Sequence, residues 1–134
     1  TVVSHDDTVI ECKTIKKSAE IYKKVKGFKV VGIDEAQFFS NSLVDTCNLL
    51  ANEGKRIIVA GLDMDFKGVP FGPMPNLMAI AEFVTKVHAI CTKTGNLANF
   101  SHRISENEDL VLLGERDEYE PLSRAAFFKI NNNK

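Results

Sequence analysis

One stretch in the first third of the chain limits the fold more than any other, an apolar run that ends in two adjacent carboxylates. It reads Lys29-Val30-Val31-Gly32-Ile33-Asp34-Glu35-Ala36-Gln37-Phe38-Phe39. A β-branched run of this kind is typical of a strand buried on both faces, as in a parallel sheet covered by helices. We therefore predict an α/β fold in which Asp34 and Glu35 emerge at the carboxyl end of a buried strand.

The two acids are candidate functional residues, because ligands of open α/β sheets bind at the carboxyl ends of the strands. A strand followed by an acid pair also has the form of a Walker B element. There the first carboxylate holds magnesium, usually through water, and the second orients or deprotonates the attacking oxygen. The alternative is that Asp34 only caps the following turn and Glu35 is solvated. The pattern alone leaves both interpretations open.

A second strand of the same pattern follows, Arg56-Ile57-Ile58-Val59-Ala60-Gly61-Leu62-Asp63. Between the two strands, apolar residues at helical spacing predict a helix with Ser40 or Asn41 as its N-cap and Gly54 at its end. Strand, helix and strand in this order predict a right-handed parallel crossover. The acidic ends of both strands then face one crevice.

The remaining elements are predicted from shorter signals. Residues 1–12 indicate a small hairpin or an edge strand with a loop, and residues 18–26 a helix that ends at Gly27. Residues 76–82 indicate a short helix and residues 83–90 a third strand. From residue 91 onwards polar turns separate short segments, including a predicted hairpin strand at 110–114, and residues 131–134 are predicted to be a solvated end. We interpret this part as a small appended β subdomain.

The loop after the second strand is unusually apolar for an irregular segment. Residues 64–75 contain three prolines and two glycines, which exclude a regular element, together with two Phe and two Met. Such a loop is either a lid packed on the core or the wall of a ligand pocket. Its place after a strand's carboxyl end favours the pocket.

Composition limits the class of protein. A chain of 134 residues that is 44% hydrophobic forms one domain at most and can bury a sizeable core. Its 17 basic and 18 acidic residues give a net charge of −1, so nothing indicates nucleic acid or a membrane surface as a partner. Three widely spaced cysteines argue against a disulfide framework. The cysteine usage also fits a reducing cytosol, and we expect a cytoplasmic protein. The sequence has no apolar run of about 18 residues, and its first residues do not resemble a signal peptide.

Taken together, these residues resemble the cytosolic (type II) thymidine kinase family. The matching segments are Ile33-Asp34-Glu35-Ala36-Gln37-Phe38-Phe39, Val59-Ala60-Gly61-Leu62-Asp63 with Asp65-Phe66 and Pro70-Phe71-Gly72, Thr85-Lys86-Val87-His88-Ala89-Ile90-Cys91, Ser101-His102-Arg103, and Gly114-Glu115-Arg116-Asp117-Glu118-Tyr119-Glu120-Pro121. They keep the family's order over nearly the whole chain. The resemblance implies a P-loop NTPase (RecA-like) parallel sheet with helices as a partial kinase core over residues 1–90. It also implies a small C-terminal β subdomain, lasso or zinc-ribbon-like, over residues 91–134.

The resemblance also implies an activity, the ATP-dependent phosphorylation of the 5′-hydroxyl of thymidine or deoxyuridine in pyrimidine salvage for DNA synthesis. ATP and Mg²⁺ are the implied cofactors, and a homotetramer is expected because family members are tetramers. Glu35 matches the catalytic base and Asp34 the magnesium-associated acid. The residues matched to substrate binding are Gln37, Phe38, Leu62, Phe66, Phe71, Ser101 and Tyr119, with Arg103 as a basic residue of the same region. For each Phe the alternative is plain core packing.

The chain departs from the family first in its phosphate-binding segment. The family begins with a strand and a glycine-rich P-loop, and no G-x-x-x-x-G-K-[ST] occurs in these 134 residues. The opening residues resemble a segment well inside a full family member. We therefore expect an N-terminal truncation and, for this chain alone, no turnover.

The second departure concerns zinc. The family holds a structural zinc with two C-x-x-C pairs. Here the first pair reads Cys91-Thr92-Lys93-Thr94 and the second Ser123-Arg124-Ala125-Ala126. Only Cys91 remains, so no zinc is expected. Apolar contacts of Leu112, Leu122, Phe127 and Phe128 are predicted to hold the subdomain instead.

Two other classes of function remain. The chain could be a catalytically inactive remnant that folds, assembles or binds a nucleoside without turnover. A RecA-type or helicase domain with the same acid pair is disfavoured, because it has no use for the Phe-rich loop or the segment around Tyr119.

Overall fold

The computed structural model describes residues 2–3, 9–104 and 118–132, and the structural statements below concern these residues. The strands are Val2–Val3 (β1), Val9–Ile10 (β2), Val30–Ile33 (β3), Arg56–Val59 (β4), Ala89–Ile90 (β5), Leu97–Ala98 (β6), Phe100–Arg103 (β7) and Tyr119–Leu122 (β8). The helices are Ser18–Lys24 (α1), Ser42–Asn52 (α2), Met74–Ile80 (α3) and Arg124–Asn132 (α4), with a short 3₁₀ turn at Ala36–Phe38. β1 and β2 pair antiparallel, which agrees with the first of the two predicted alternatives, a small hairpin.

The parallel crossover is the centre of the fold. β3 and β4 pair in parallel from Val30 opposite Arg56 to Ile33 opposite Val59, and α2 connects them. Both the strand pair and the connecting helix were predicted. Asn41 precedes α2 as its N-cap, but its side chain makes no capping hydrogen bond. Helix α3 begins two residues earlier than predicted, with a proline in its first turn, a position that proline tolerates well.

The main core lies on one side of this strand pair. Its buried residues come from α1, β3, the 3₁₀ turn, α2 and α3, and they are Ile21, Val31, Ile33, Ala36, Leu43, Cys47, Leu50, Met74 and Leu77. Exposure along β3 alternates, and Val30 is 56% exposed. The prediction that β3 is buried on both faces is therefore wrong, because the described helices pack on the Val31 and Ile33 side.

The predicted third strand over residues 83–90 is largely wrong. Only Ala89–Ile90 is a strand, and it pairs antiparallel with β6 instead of joining the parallel sheet. Residues 82–88 are irregular, and Phe83 is 94% exposed. An apolar run forms a strand only against a neighbour, and in the described chain β3 and β4 pair only with each other.

A second apolar cluster holds the last part of the chain together. Its buried members are Cys91, Ala98, Phe100, Leu122, Ala126 and Phe127. Phe100 and Phe127 stack with ring centroids 4.4 Å apart. The predicted roles of Leu122 and Phe127 are confirmed, whereas Phe128 is half-exposed. Leu112 and the predicted strand at 110–114 lie outside the described residues.

Helix α4 was not predicted. It buries Ala126 and Phe127 and packs Ile130 against the same cluster, a stripe too short to be distinguished from a strand by spacing alone. The subdomain therefore contains a helix as well as the pairs β5–β6 and β7–β8. Among the described segments, each helix is too short or too polar to cross a membrane.

Candidate active site

The acid pair lies where the sequence predicts it, directly after β3. One carboxylate oxygen of Asp34, Oδ1, accepts the backbone N–H of Glu35 at 2.8 Å. Asp34 therefore caps the turn that follows β3, as the alternative to a functional role predicts. Its second carboxylate oxygen, Oδ2, is not used by this hydrogen bond and can bind another group. Glu35 has a φ of 53° and a ψ of 40°, the left-handed region that side-chain-bearing residues rarely adopt. Such conformations concentrate at functional sites, where the surrounding structure holds them in place.

Backbone hydrogen bonds join the ends of the two parallel strands. The N–H of Ala60 donates to Ile33 O at 2.8 Å, and the N–H of Ala36 donates to Ala60 O at 3.0 Å. The chain after β4 therefore starts beside the chain after β3. Further along, the carboxylate of Asp63 pairs with Lys86 at 2.7 Å, which ties the irregular segment 82–88 to this edge. Sequence reasoning gave Lys86 no role.

Gln37 connects the acid turn to the second strand end. Its side chain is buried, its Nε2 donates to Glu35 Oε2, and its Oε1 accepts the N–H of Leu62 at 3.1 Å. Both functional atoms of the amide are thus used within the protein. The predicted site residues Glu35, Gln37 and Leu62 form one connected set.

Two of the predicted ring residues form a second set. Phe38 and Phe71 meet edge to face with centroids 5.7 Å apart. Phe71 is buried, as the core-packing alternative expects, whereas Phe38 and Leu62 are each about half-exposed, at 52% and 48%. Phe38 follows Gln37 in the chain, and the Leu62 N–H donates to the Gln37 side chain. An exposed ring and an exposed aliphatic side chain on two segments joined in this way offer apolar surface on which a flat heterocycle can pack.

The loop after β4 is more ordered than its composition suggests. Asp65 Oδ1 accepts the N–H groups of Lys67 and Val69 at 2.9 and 3.0 Å, and the Asp65 N–H donates to Val69 O at 2.9 Å. A carboxylate that accepts neighbouring backbone N–H groups is a common way to fix a tight turn. This turn sets the position of Phe66.

Phe66, Arg103 and Tyr119 form the third set. The guanidinium of Arg103 lies 3.8 Å from the Phe66 ring centroid, and its Nη2 and Nε donate to Tyr119 Oη at 2.7 and 3.2 Å. Arg103 is 4% exposed. Ser101 lies two residues earlier on β7, on the same side of that strand as Arg103. Sequence reasoning matched Arg103 only as a basic residue; alternation along β7 is the signal that places it with Ser101.

Where the family has zinc-binding cysteines, this chain has Cys91, Thr94, Ser123 and Ala126, which hydrogen bonds connect. Thr94 Oγ1 lies 3.2 Å from Ser123 Oγ, which also accepts the N–H of Ala126 at 3.4 Å. Burial raises the pKa of Cys91, but hydrogen bonds from Thr94, Ser123 and the backbone at Lys93 outweigh it and lower the pKa to about 6. One thiolate, two hydroxyls and a methyl group do not fit a structural zinc. The described residues contain no group of three His, Cys, Asp or Glu placed to hold a metal.

Magnesium has different requirements. In phosphoryl-transfer sites it keeps several waters and takes one or two carboxylates together with phosphate oxygens. Asp34 is exposed, and its backbone hydrogen bond occupies only one oxygen. A single acid of this kind fits such an ion.

The fold and the site together define a class: an α/β protein with a parallel crossover, an acid pair directly after the first strand of that crossover, an apolar loop after the second, and short antiparallel strand pairs in the last part of the chain. A family model described as thymidine kinase matches residues 1–127. The chain belongs to the thymidine kinase family.

Known thymidine kinases are similar over most of this chain. It is 60% identical to thymidine kinase of Bacteroides fragilis strain YCH46 over 126 residues, which are 94% of this chain and 63% of the relative. It is 59% identical to thymidine kinase of Bacteroides thetaiotaomicron over 128 residues, 96% and 64% of the two chains. Identity to thymidine kinase of Rhodothermus sp. is 50% over 126 residues, 94% and 59%. The chain thus spans about three fifths of the length of these curated relatives.

Proposed function

We propose that this chain carries the half of a thymidine kinase active site that binds the nucleoside and supplies the catalytic base. The reaction is ATP-dependent phosphorylation of the 5′-hydroxyl of thymidine or deoxyuridine, in pyrimidine salvage for DNA synthesis. The observation that carries the proposal is the left-handed backbone of Glu35, held between Asp34 and Gln37 beside the half-exposed Phe38 and Leu62. Membership of the family supports the choice of substrate.

In the proposed reaction the 5′-oxygen forms a bond to the γ-phosphorus, and the bond from that phosphorus to the β–γ bridging oxygen breaks. The hydroxyl proton passes to Glu35. In a loose transition state the proton leaves late, so the main task of Glu35 is to hold the hydroxyl in line. Magnesium, when bound, neutralises charge on the phosphate oxygens, and Asp34 is the residue that would hold it.

The thymine ring is proposed to pack on Phe38 and Leu62, with the buried Phe71 supporting the Phe38 ring. Phe66 is proposed to complete this apolar wall, with Ser101 near the base and Tyr119 in the segment that closes over it. Rings and aliphatic side chains suit the flat faces of a pyrimidine. Ser101 supplies a hydroxyl that can donate to or accept from the polar edge of the base.

The phosphate cradle is the missing half of this site, because the sequence contains no P-loop motif. We therefore expect the 134-residue chain to bind thymidine and not to phosphorylate it. The test measures phosphorylation of radiolabelled thymidine with ATP and Mg²⁺ by this chain and by a longer chain extended with a family P-loop segment. Turnover by the longer chain alone supports the proposal. No turnover by a folded longer chain supports the second candidate function, an inactive remnant that binds nucleoside or assembles.

A substitution of Glu35 separates chemistry from binding. In the longer chain, Glu35→Ala lowers kcat by about 100- to 10,000-fold, the usual contribution of a general base, while thymidine affinity stays within about threefold. Glu20→Ala on α1 is the control and leaves kcat unchanged. A large loss of thymidine affinity in Glu35→Ala, measured by calorimetry, would assign Glu35 a structural role.

We also propose a zinc-free subdomain, a homotetrameric assembly and a cytoplasmic location. The hydrogen bonds among Cys91, Thr94 and Ser123 support the first of these, since they close the two turns that zinc would otherwise join. Dialysis against a chelator should leave the melting temperature unchanged and remove no stoichiometric zinc. A zinc-dependent melting temperature would contradict this part of the proposal.

A further inference from the structure

Gln37 is a buried polar side chain that has no part in the reaction proposed above. It is 3% exposed, although it lies one residue from the half-exposed Phe38. A buried amide is costly unless its donor and acceptor are both satisfied. Here both are satisfied inside the protein, by Glu35 on one side and by the backbone of Leu62 on the other.

The chemistry of the two partners fixes which way the amide points. The backbone N–H of Leu62 can only donate, so it requires the amide oxygen. The carboxylate of Glu35 can only accept, so it requires the amide nitrogen. A flipped amide would oppose two acceptors at one end and two donors at the other. Glutamine is therefore suited to this position in a way that glutamate and leucine are not.

Two glycines enclose Gln37 and show that its place is built into the fold. A Cβ on Gly61 would lie 2.8 Å from Gln37 Oε1 and 2.9 Å from Met74 Sδ. A Cβ on Gly72 would overlap the backbone carbonyl oxygen of Gln37. The chain after β4 thus approaches Gln37 from two directions, and only residues without a side chain allow both approaches.

We propose that Gln37 is a positioning residue, which holds the Glu35 carboxylate in line and couples it to the Leu62 wall of the nucleoside site. This inference rests on the proposed function. It replaces the sequence-based expectation that the Gln37 side chain contacts the substrate. One oxygen of Glu35 is held by the amide, and the other is left for the 5′-hydroxyl. Movement of the Leu62 backbone, as when a base packs on it, is transmitted to the carboxylate through one rigid amide group.

The test uses Gln37→Leu and Gln37→Glu. Gln37→Leu keeps the size of the side chain but removes both hydrogen bonds. Gln37→Glu keeps the acceptor near Leu62 and places a second carboxyl group against Glu35. Asn48→Leu, an exposed position on α2, is the matched control for adding an apolar side chain.

The first readout is amide hydrogen exchange in the 134-residue chain, which requires no kinase activity. In Gln37→Leu the Leu62 N–H loses its acceptor, so its exchange accelerates about tenfold or more, whereas the Ala60 N–H, bonded to Ile33 O, is unchanged. Unchanged exchange at Leu62 overturns the inference. Equal acceleration at Ala60 means that the strand ends have separated. In that case the pH dependence of the activity of Gln37→Glu, described next, tests the inference instead.

The second readout is steady-state kinetics in the longer, P-loop-bearing chain. A positioning role predicts that Gln37→Leu lowers kcat by about 10- to 100-fold with KM changed by less than about threefold. For Gln37→Glu, activity relative to the unsubstituted enzyme recovers as the pH falls, because the introduced carboxyl group becomes a donor once it is protonated. A purely structural role would not produce this pH profile.

The outcomes separate the inference from the proposed function. Turnover by the unsubstituted longer chain, with an increase in KM alone in Gln37→Leu, overturns the positioning role and returns Gln37 to substrate contact. No turnover by the unsubstituted longer chain contradicts the proposed function itself and, with it, any catalytic positioning.

Discussion

Glu35 places a candidate catalytic carboxylate on a left-handed backbone, with φ at 53°. The hydrogen bonds of Asp34, Ala36 and Gln37 around it hold that conformation. Because residues with side chains rarely adopt it, the surrounding contacts must stabilise the turn.

Gly72 provides a test of the packing behind this geometry. Gly72→Ala is expected to destabilise the fold by about 2–5 kcal/mol, because a left-handed alanine costs about 1–2 kcal/mol and a forced overlap about a further 1–3 kcal/mol. The φ of Gly72 is 51°, and its Cβ would meet Gln37 O. Urea unfolding at equilibrium measures the change.

Gly32→Ala is the matched control for Gly72→Ala. Gly32 lies in β3 at an ordinary φ, and a Cβ there would meet nothing within 4 Å. Its substitution should change stability by less than about 1 kcal/mol. Equal effects of the two substitutions would show that the approach of Gly72 to Gln37 contributes nothing special.

Among the elements, the parallel crossover was predictable and the third strand was not. β3 and β4 are short apolar runs, α2 has its apolar residues at helical spacing, and the three elements follow one another in sequence. Residues 83–90 have the composition of a strand, but pairing depends on a neighbour that composition does not specify. The same holds for the candidate site. The position of Asp34 and Glu35 at a strand end could be predicted from local sequence, whereas the stacking of Arg103 on Phe66 depends on contacts between distant segments.

Arg103 joins the β4 loop to the β7–β8 pair, and a substitution should measure that connection. Arg103→Lys removes the planar stacking on Phe66 and the paired donation to Tyr119, so it should cost about 1–3 kcal/mol of unfolding free energy. Tyr119→Phe, which removes the hydroxyl group and leaves the ring, should cost about half as much. Urea unfolding checks both. A loss below about 0.5 kcal/mol in Arg103→Lys would contradict this account.

At the scale of the whole molecule, stability should depend on pH through Cys91. Its pKa in the folded chain is lowered from an ordinary 9.0 to about 6. Between these values the folded chain holds a thiolate and the unfolded chain a thiol, so the unfolded state binds more protons and the free energy of unfolding rises with pH. This contribution is complete above the unfolded pKa and is lost as the pH falls through about 6.

The measurement is urea unfolding at a series of pH values from about 5 to about 9.5. Cys91→Ala should flatten the rise that the unsubstituted chain shows. Cys47→Ala is the control: burial raises the pKa of Cys47, so this residue is a thiol in both the folded and the unfolded chain below about pH 8, and its removal should leave the slope between about pH 5 and about pH 8 intact. The same slope in Cys91→Ala and the unsubstituted chain would refute the thiolate assignment.

The irregular segment 82–88 has a consequence for how copies of the protein behave towards one another. It presents Phe83 and Val87 to solvent at 94% and 89% exposure, and Val84 at 50%. The net charge of −1 gives the molecules little mutual repulsion. Exposed apolar side chains close together in sequence, without electrostatic repulsion between molecules, favour self-association as concentration rises. The apparent molar mass measured by light scattering should therefore increase with protein concentration. This increase should diminish when Phe83 and Val87 are replaced by lysine, although neither residue belongs to the proposed site.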